Sequence, residues 1–98
     1  MATSNTVTEE RIRSFKFERF YNESEEWKYY IQRFEMELSI FGWDSSEETE
    51  PIRRKLLLSK IGPEPFKIVV DHVHPEPISS ITYINIKEVL TSFYEKNI

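Results

Sequence analysis

The stretch from Trp27 to Phe41 constrains the fold most, because Trp27, Tyr30, Ile31, Phe34, Leu38 and Phe41 recur in it at intervals of one, three or four residues. At about 100° per residue they fall within roughly one third of a helical wheel, so the segment predicts a helix with one core-facing wall. Gly42 is its natural stop. At the other end Ser24 is placed to accept a bond from a free helix N–H, and Glu25 and Glu26 to face the positive dipole end. The same wheel gathers Tyr29, Met36 and Ile40 on the opposite side with Arg33 beside them. This second apolar face needs a cover. Either the preceding Phe15 to Phe20 segment lies over it, or Tyr29, Arg33, Met36 and Ile40 form an interface with another chain, since exposed apolar patches mark partner surfaces.

The other elements read in the same way. Met1 to Arg13 is polar and has little apolar surface to offset the entropy of ordering, so residues 1–13 are expected to be a flexible lead to a domain over 14–98. Phe15 and Phe17 alternate as in extended chain, with Phe20 following, and this piece is expected to lie across a helical body. Pro51, tolerated in a first turn, opens a second helix over about Glu50 to Ile61 that carries Ile52, Leu56, Leu57, Leu58 and Ile61. Gly62-Pro63 ends it. A short third helix follows, with Phe66, Val69, Val70 and Val73 on its apolar side. Two prolines before it and Pro75 and Pro77 after it leave no room for paired strands. Thr82 caps a fourth helix from Tyr83 to about Lys96, whose inner face is Tyr83, Ile86, Leu90, Phe93 and Tyr94. The predicted fold is all-α, a compact bundle of about four helices with an extended N-terminal segment. Its predicted core is Trp27, Tyr30, Ile31, Phe34, Leu38, Phe41, Leu56, Phe66, Val70, Leu90 and Phe93.

Composition narrows the chemistry. With 98 residues the chain suits one domain, and its 39% hydrophobic content suits a small core. The net charge of −4 is carried before Glu50, which argues against phosphate-backbone binding. Arg53, Arg54, Lys55 and Lys60 form one basic cluster, read as the solvated side of a helix because no interleaved aromatics offer base stacking. The absence of cysteine excludes thiol nucleophiles, disulfides and Cys-ligated zinc. His72 and His74, two apart on a helix, point to opposite sides and suit no single metal ion. No nucleophile elbow is present, and Gly42 and Gly62 alone cannot build a phosphate loop. Glu23, Glu25 and Glu26 are explained by a helix start. The expectation is a non-enzymatic protein with no cofactor, no metal and no small-molecule substrate. With no apolar run near the roughly 18 residues of a membrane span and no signal-peptide core, no membrane association is expected either. The expected location is the cytoplasm, with the nucleus as the other compartment open to it.

The residues also resemble a known family. Phe20-Tyr21-Asn22-Glu23-Ser24-Glu25-Glu26-Trp27, followed by Tyr30, Arg33, Phe34 and Glu35, is similar to the opening of Gag capsid sequences from gypsy-type LTR retrotransposons. Arg53-Arg54-Lys55-Leu56-Leu57-Leu58-Ser59-Lys60-Ile61-Gly62-Pro63-Glu64 resembles that family's charged-then-leucine helix ending in Ile-Gly-Pro-Glu. Thr82-Tyr83 through Val89-Leu90 to Phe93-Tyr94 is similar to its following helix. The pieces occur in the family's order over about residues 17–96. The resemblance implies a capsid N-terminal-type helical domain, a structural module that self-associates through lateral contacts in a protein shell. Its partners would be itself or related Gag chains. The alternative is a domesticated, Gag-derived adaptor that dimerises or binds other proteins. The family's Gag continues into a dimerising capsid half and often a zinc knuckle that holds RNA. The sequence here is therefore expected to be an excised domain, a truncated Gag or a host gene derived from one, without direct nucleic-acid binding of its own.

Overall fold

The computed structural model describes residues 9–44 and 46–95. All regular structure among them is helical: α1 at residues 9–14, α2 at Trp27–Ile40, α3 at Glu50–Lys60, α4 at Pro63–Val73 and α5 at Tyr83–Tyr94. Single 3₁₀ turns at Glu47–Thr49 and Ile78–Ser80 lead into α3 and toward α5. The α5 helix packs against α2, α3 and α4 and so holds the molecule together.

The N-terminal region departs from the expected flexible lead. Residues 1–8 lie outside the described residues, but 9–14 are helical and Ile12 packs on the core. Arg11 donates a 2.6 Å hydrogen bond to the Phe41 carbonyl and lies over the Phe41 and Trp43 rings at 5.5 and 5.2 Å. The polar sequence conceals this order because the attachment rests on one apolar residue, Ile12, and one long side chain, Arg11. Residues 15–20 then run extended, as expected, and bury Phe15 and Phe20 completely or nearly so.

Aromatic rings fill the space between α2 and α5. Phe20 meets Trp27, Tyr30 and Tyr94 edge-on at 5.4, 5.2 and 4.9 Å, an arrangement the ring quadrupoles favour. Trp27, Tyr30, Ile31, Phe34, Leu38, Leu56 and Leu90 are buried as the periodicity predicts. Phe41 and Val70 are only partly buried. Two predicted core residues are not core at all, Phe66 being 36% and Phe93 52% exposed. On α4 the inward direction is set by Pro65 and Val69, one turn apart, which leaves Phe66 about 100° off the face. At the end of α5 Tyr94, rather than Phe93, turns in against Phe20 and Trp27, and Phe93 rests edge-on against Tyr94.

The helix ends also differ from the local reading. Ser24 does not cap α2. Its N–H and that of Glu25 bond to the Tyr21 carbonyl in a tight turn, and the helix begins only at Trp27. The free N–H of Lys28 is taken by the Glu95 carboxylate at 2.9 Å, from the far end of the chain. Thr82 caps α5 as predicted, accepting from the Asn85 N–H, while Glu50 of α3 accepts from the Tyr83 N–H at 2.7 Å. Gly42 stops α2 with φ 81°, and the N–H groups of Gly42 and Trp43 return to the Ser39 and Leu38 carbonyls. Gly62, with φ 98°, separates α3 from α4, and a Cβ there would meet the Arg19 side chain at 3.1 Å.

Candidate protein-interaction surface

The α2 wall that holds Trp27, Tyr30, Phe34 and Leu38 inward leaves Tyr29, Met36 and Ile40 outward, at 52%, 67% and 72% exposure. Arg33 lies between Tyr29 and Met36 and is itself exposed. The covering role foreseen for the Phe15 to Phe20 segment goes elsewhere. That segment runs on the core side, and its outermost ring, Phe17, stops edge-on against Tyr30 and Phe34, each at 5.3 Å. Phe17 thus walls a shallow depression whose floor and far side are Tyr29, Gln32, Arg33, Met36 and Glu37. Among the described residues nothing covers the row.

Arg33 does not bring an unbalanced charge to this face. Its guanidinium makes a two-pronged contact with the Glu25 carboxylate at 2.7 and 2.9 Å, with Glu18 at 3.6 Å, and lies 5.2 Å over the Phe17 ring. The hydrogen bonds from Arg33 hold the Glu25 carboxyl below the usual carboxylate range, outweighing the opposing effect of burial. The same bonds raise the guanidinium further. The early turn thereby places Glu25 for Arg33, rather than for the helix dipole as its position in the sequence suggests.

The basic cluster reads differently in three dimensions. Arg53, expected on a solvated face, is buried, lies 5.2 Å over the Tyr83 ring and donates to the Ser46 carbonyl at 3.1 Å, while its Nε finds no partner among the described residues. Arg54 donates to the Ser79 and Ile81 carbonyls, each at 3.2 Å, and pairs with Glu50. Both arginines therefore tie α3 to the approach to α5. Lys55 remains exposed and Lys60 partly so.

Tyr83 donates to Glu35 at 2.9 Å, and Lys87 contacts the same carboxylate at 2.6 Å. Burial, helped by Glu35, pushes the Tyr83 hydroxyl far above its ordinary range, so this group is a tie between α2 and α5 and stays neutral. His72 and His74 are exposed, and no group of three metal-ligating side chains occurs among the described residues. No helix among them is long and apolar enough to cross a membrane. Sequence periodicity found the Tyr29, Arg33, Met36 and Ile40 surface but missed Phe17 as its rim, because alternation alone does not say which element an extended segment will lie against. Compared with family models, with curated proteins and with solved structures, the chain matches none of them.

Proposed function

We propose that this chain is a structural self-association module, the N-terminal-type domain of a gypsy-type LTR retrotransposon Gag capsid, acting in the cytoplasm through a lateral contact on α2. The observation that carries the reading is the exposed row of Tyr29, Met36 and Ile40 beside a charge-balanced Arg33. The residues of the family-like opening support it. Trp27, Tyr30 and Phe34 are core, Arg33 and Glu25 form one ion pair, and Glu35 joins α2 to α5. Partners are then other copies or related Gag chains, with no catalysis, cofactor or small-molecule substrate. Direct nucleic-acid contact is not part of the proposal, because Arg53 and Arg54 are engaged within the fold.

Magnitudes place the contact in the weak class. Burying a large apolar side chain fully is worth about 1.5–3 kcal/mol, and these three are already partly covered. Association costs about 4–15 kcal/mol in lost freedom. The surplus is small, and such a contact becomes effective through many linked copies. Sedimentation of the chain from roughly micromolar to millimolar concentration should show reversible association near the top of the range. The Met36→Asp variant should remain monomeric while keeping its helical circular dichroism. A wild-type chain that stays monomeric throughout would remove the reading. The adaptor alternative draws on a separate apolar point, Ile84 on α5 at 64% exposure, which a contact on α2 leaves free for a different protein. A tight dimer at the lowest concentration would put that alternative first.

A further inference from the structure

Lys87, Thr91 and Tyr94 turn one side of α5 toward α2, where they meet Glu35 and Trp27. At about 100° per residue, Asn85, Glu88, Val89 and Ser92 fall together on the other side. There they form one wall of a groove of about 540 Å³, whose second wall is His72, Val73 and Glu76 at the end of α4. Val73, Ile81 and Val89 give it an apolar floor, Ile81 being buried and the two valines partly so. Along α5 the groove runs for about 10 Å, the reach of three or four residues of extended chain.

The charge on this groove is of one sign. Glu76 stands on one wall and Glu88 on the other, both exposed. Among the described residues neither forms an ion pair, and no lysine or arginine lines the groove. The lysines that flank this stretch of chain are committed elsewhere, Lys67 to Asp71 at 2.9 Å and Lys87 to Glu35 at 2.6 Å. The end of α4 adds the negative pole of its dipole at the same wall. The α2 row differs, because there Arg33 is already neutralised by Glu25 and Glu18. In an extended chain, basic side chains two residues apart project to the same face. Their aliphatic stems can then cover Val73 and Val89 while their charged heads reach the two carboxylates. We propose that the groove between α4 and α5 docks a short basic segment of another protein in extended form, with Glu76 and Glu88 as its two charge contacts. This surface shares no residue with the α2 row and goes beyond the self-association reading.

The test is an amide NMR titration of the isotope-labelled chain, below the concentration at which sedimentation shows self-association. The probes are a capped hexapeptide alternating alanine with lysine, its counterparts with glutamate or norleucine in place of lysine, and cadaverine as a small cation. The lysine peptide is expected to shift the amides of residues 72–76, 80–81 and 85–92 saturably in the high-micromolar to millimolar range. Binding should weaken at least about fivefold in the Glu76→Gln/Glu88→Gln variant, and severalfold between roughly 0.05 and 0.5 M salt. The peptide series uses the unaltered chain and so decides independently of how the variant folds. An equal response to the glutamate or norleucine peptide would overturn the proposal by showing that charge does not select the occupant. An equal response to cadaverine would overturn it by assigning the groove to small cations. Shifts centred on Tyr29, Met36 and Ile40, or none at about 5 mM lysine peptide, would also overturn it. Groove shifts that grow with the concentration of the chain alone would give the groove to a second copy, with the same consequence.

Discussion

Arg33 and Glu25 sit eight residues apart, yet their two hydrogen bonds make them one unit. The Glu25 carboxyl titrates below its ordinary range when folded, so its contribution to stability is present above the unfolded value and is lost as pH falls through the folded one. Arg33 is 46% exposed, which limits that contribution to below about 1 kcal/mol. The expected outcome for Glu25→Gln is a small loss of stability at neutral pH that disappears in acid, read by urea unfolding at several pH values. Trp27 carries a larger share. It is 1% exposed, and its indole N–H donates to Thr91 at 3.1 Å. Trp27→Ala should cost about 3–5 kcal/mol, most of the stability of a domain this small, and abolish the cooperative thermal transition. An unchanged melting curve would mean that the ring is not the core anchor.

At the scale of the element, two helix starts depend on carboxylates from elsewhere in the chain. Glu50 accepts from the Tyr83 N–H and pairs with Arg54, and Glu95 accepts from the Lys28 N–H. Removing the first acceptor leaves a part-buried donor unsatisfied, a loss of about 1–2 kcal/mol. Glu50→Ala should therefore lower Tm by roughly 5–15 °C, and Glu50→Gln, which keeps an acceptor oxygen, should recover much of it. Equal losses in the two variants would assign the effect to the Arg54 pair instead. The Thr82 cap was legible in the sequence because donor and acceptor are neighbours, whereas the Glu50 and Glu95 caps span 33 and 67 residues and have no local signal. Phe93 shows the same limit at a helix end. Its wheel position points inward, but in the last turn only one ring can fill the space beside Phe20, and Tyr94 occupies it.

At the scale of the whole molecule, the inward face of α2 belongs to the core and the outward face carries the contact proposed above. Met36 is 67% exposed and makes no part of the buried cluster, so Met36→Asp should change Tm by no more than a few degrees. Its effect should appear in sedimentation alone, as loss of the concentration-dependent species. A variant that unfolds would instead place Met36 inside the folded unit, as the covering-segment reading of the sequence would have it. The division has a simple physical basis. Phe15 and Phe20 can be buried only on the core side, where Trp27, Phe34 and Tyr94 complete a set of ring contacts, so the extended segment passes there and leaves the outer row bare.

Periodicity and proline and glycine placement were enough, in the sequence alone, to determine the all-helical character of the described residues, the order and approximate limits of α2 to α5, most of the core and the outward row of α2. These are local properties, since a helix fixes the relative direction of its side chains within a few residues. Tertiary structure alone decided that residues 9–14 dock, that Arg53 is buried and Arg54 serves as a tie, that Phe66 and Phe93 face solvent, and that the outer row of α2 stays uncovered. Each of those outcomes is a competition between segments distant in the chain for the same space or the same polar group, and a competition of that kind is settled only when all the segments are packed together.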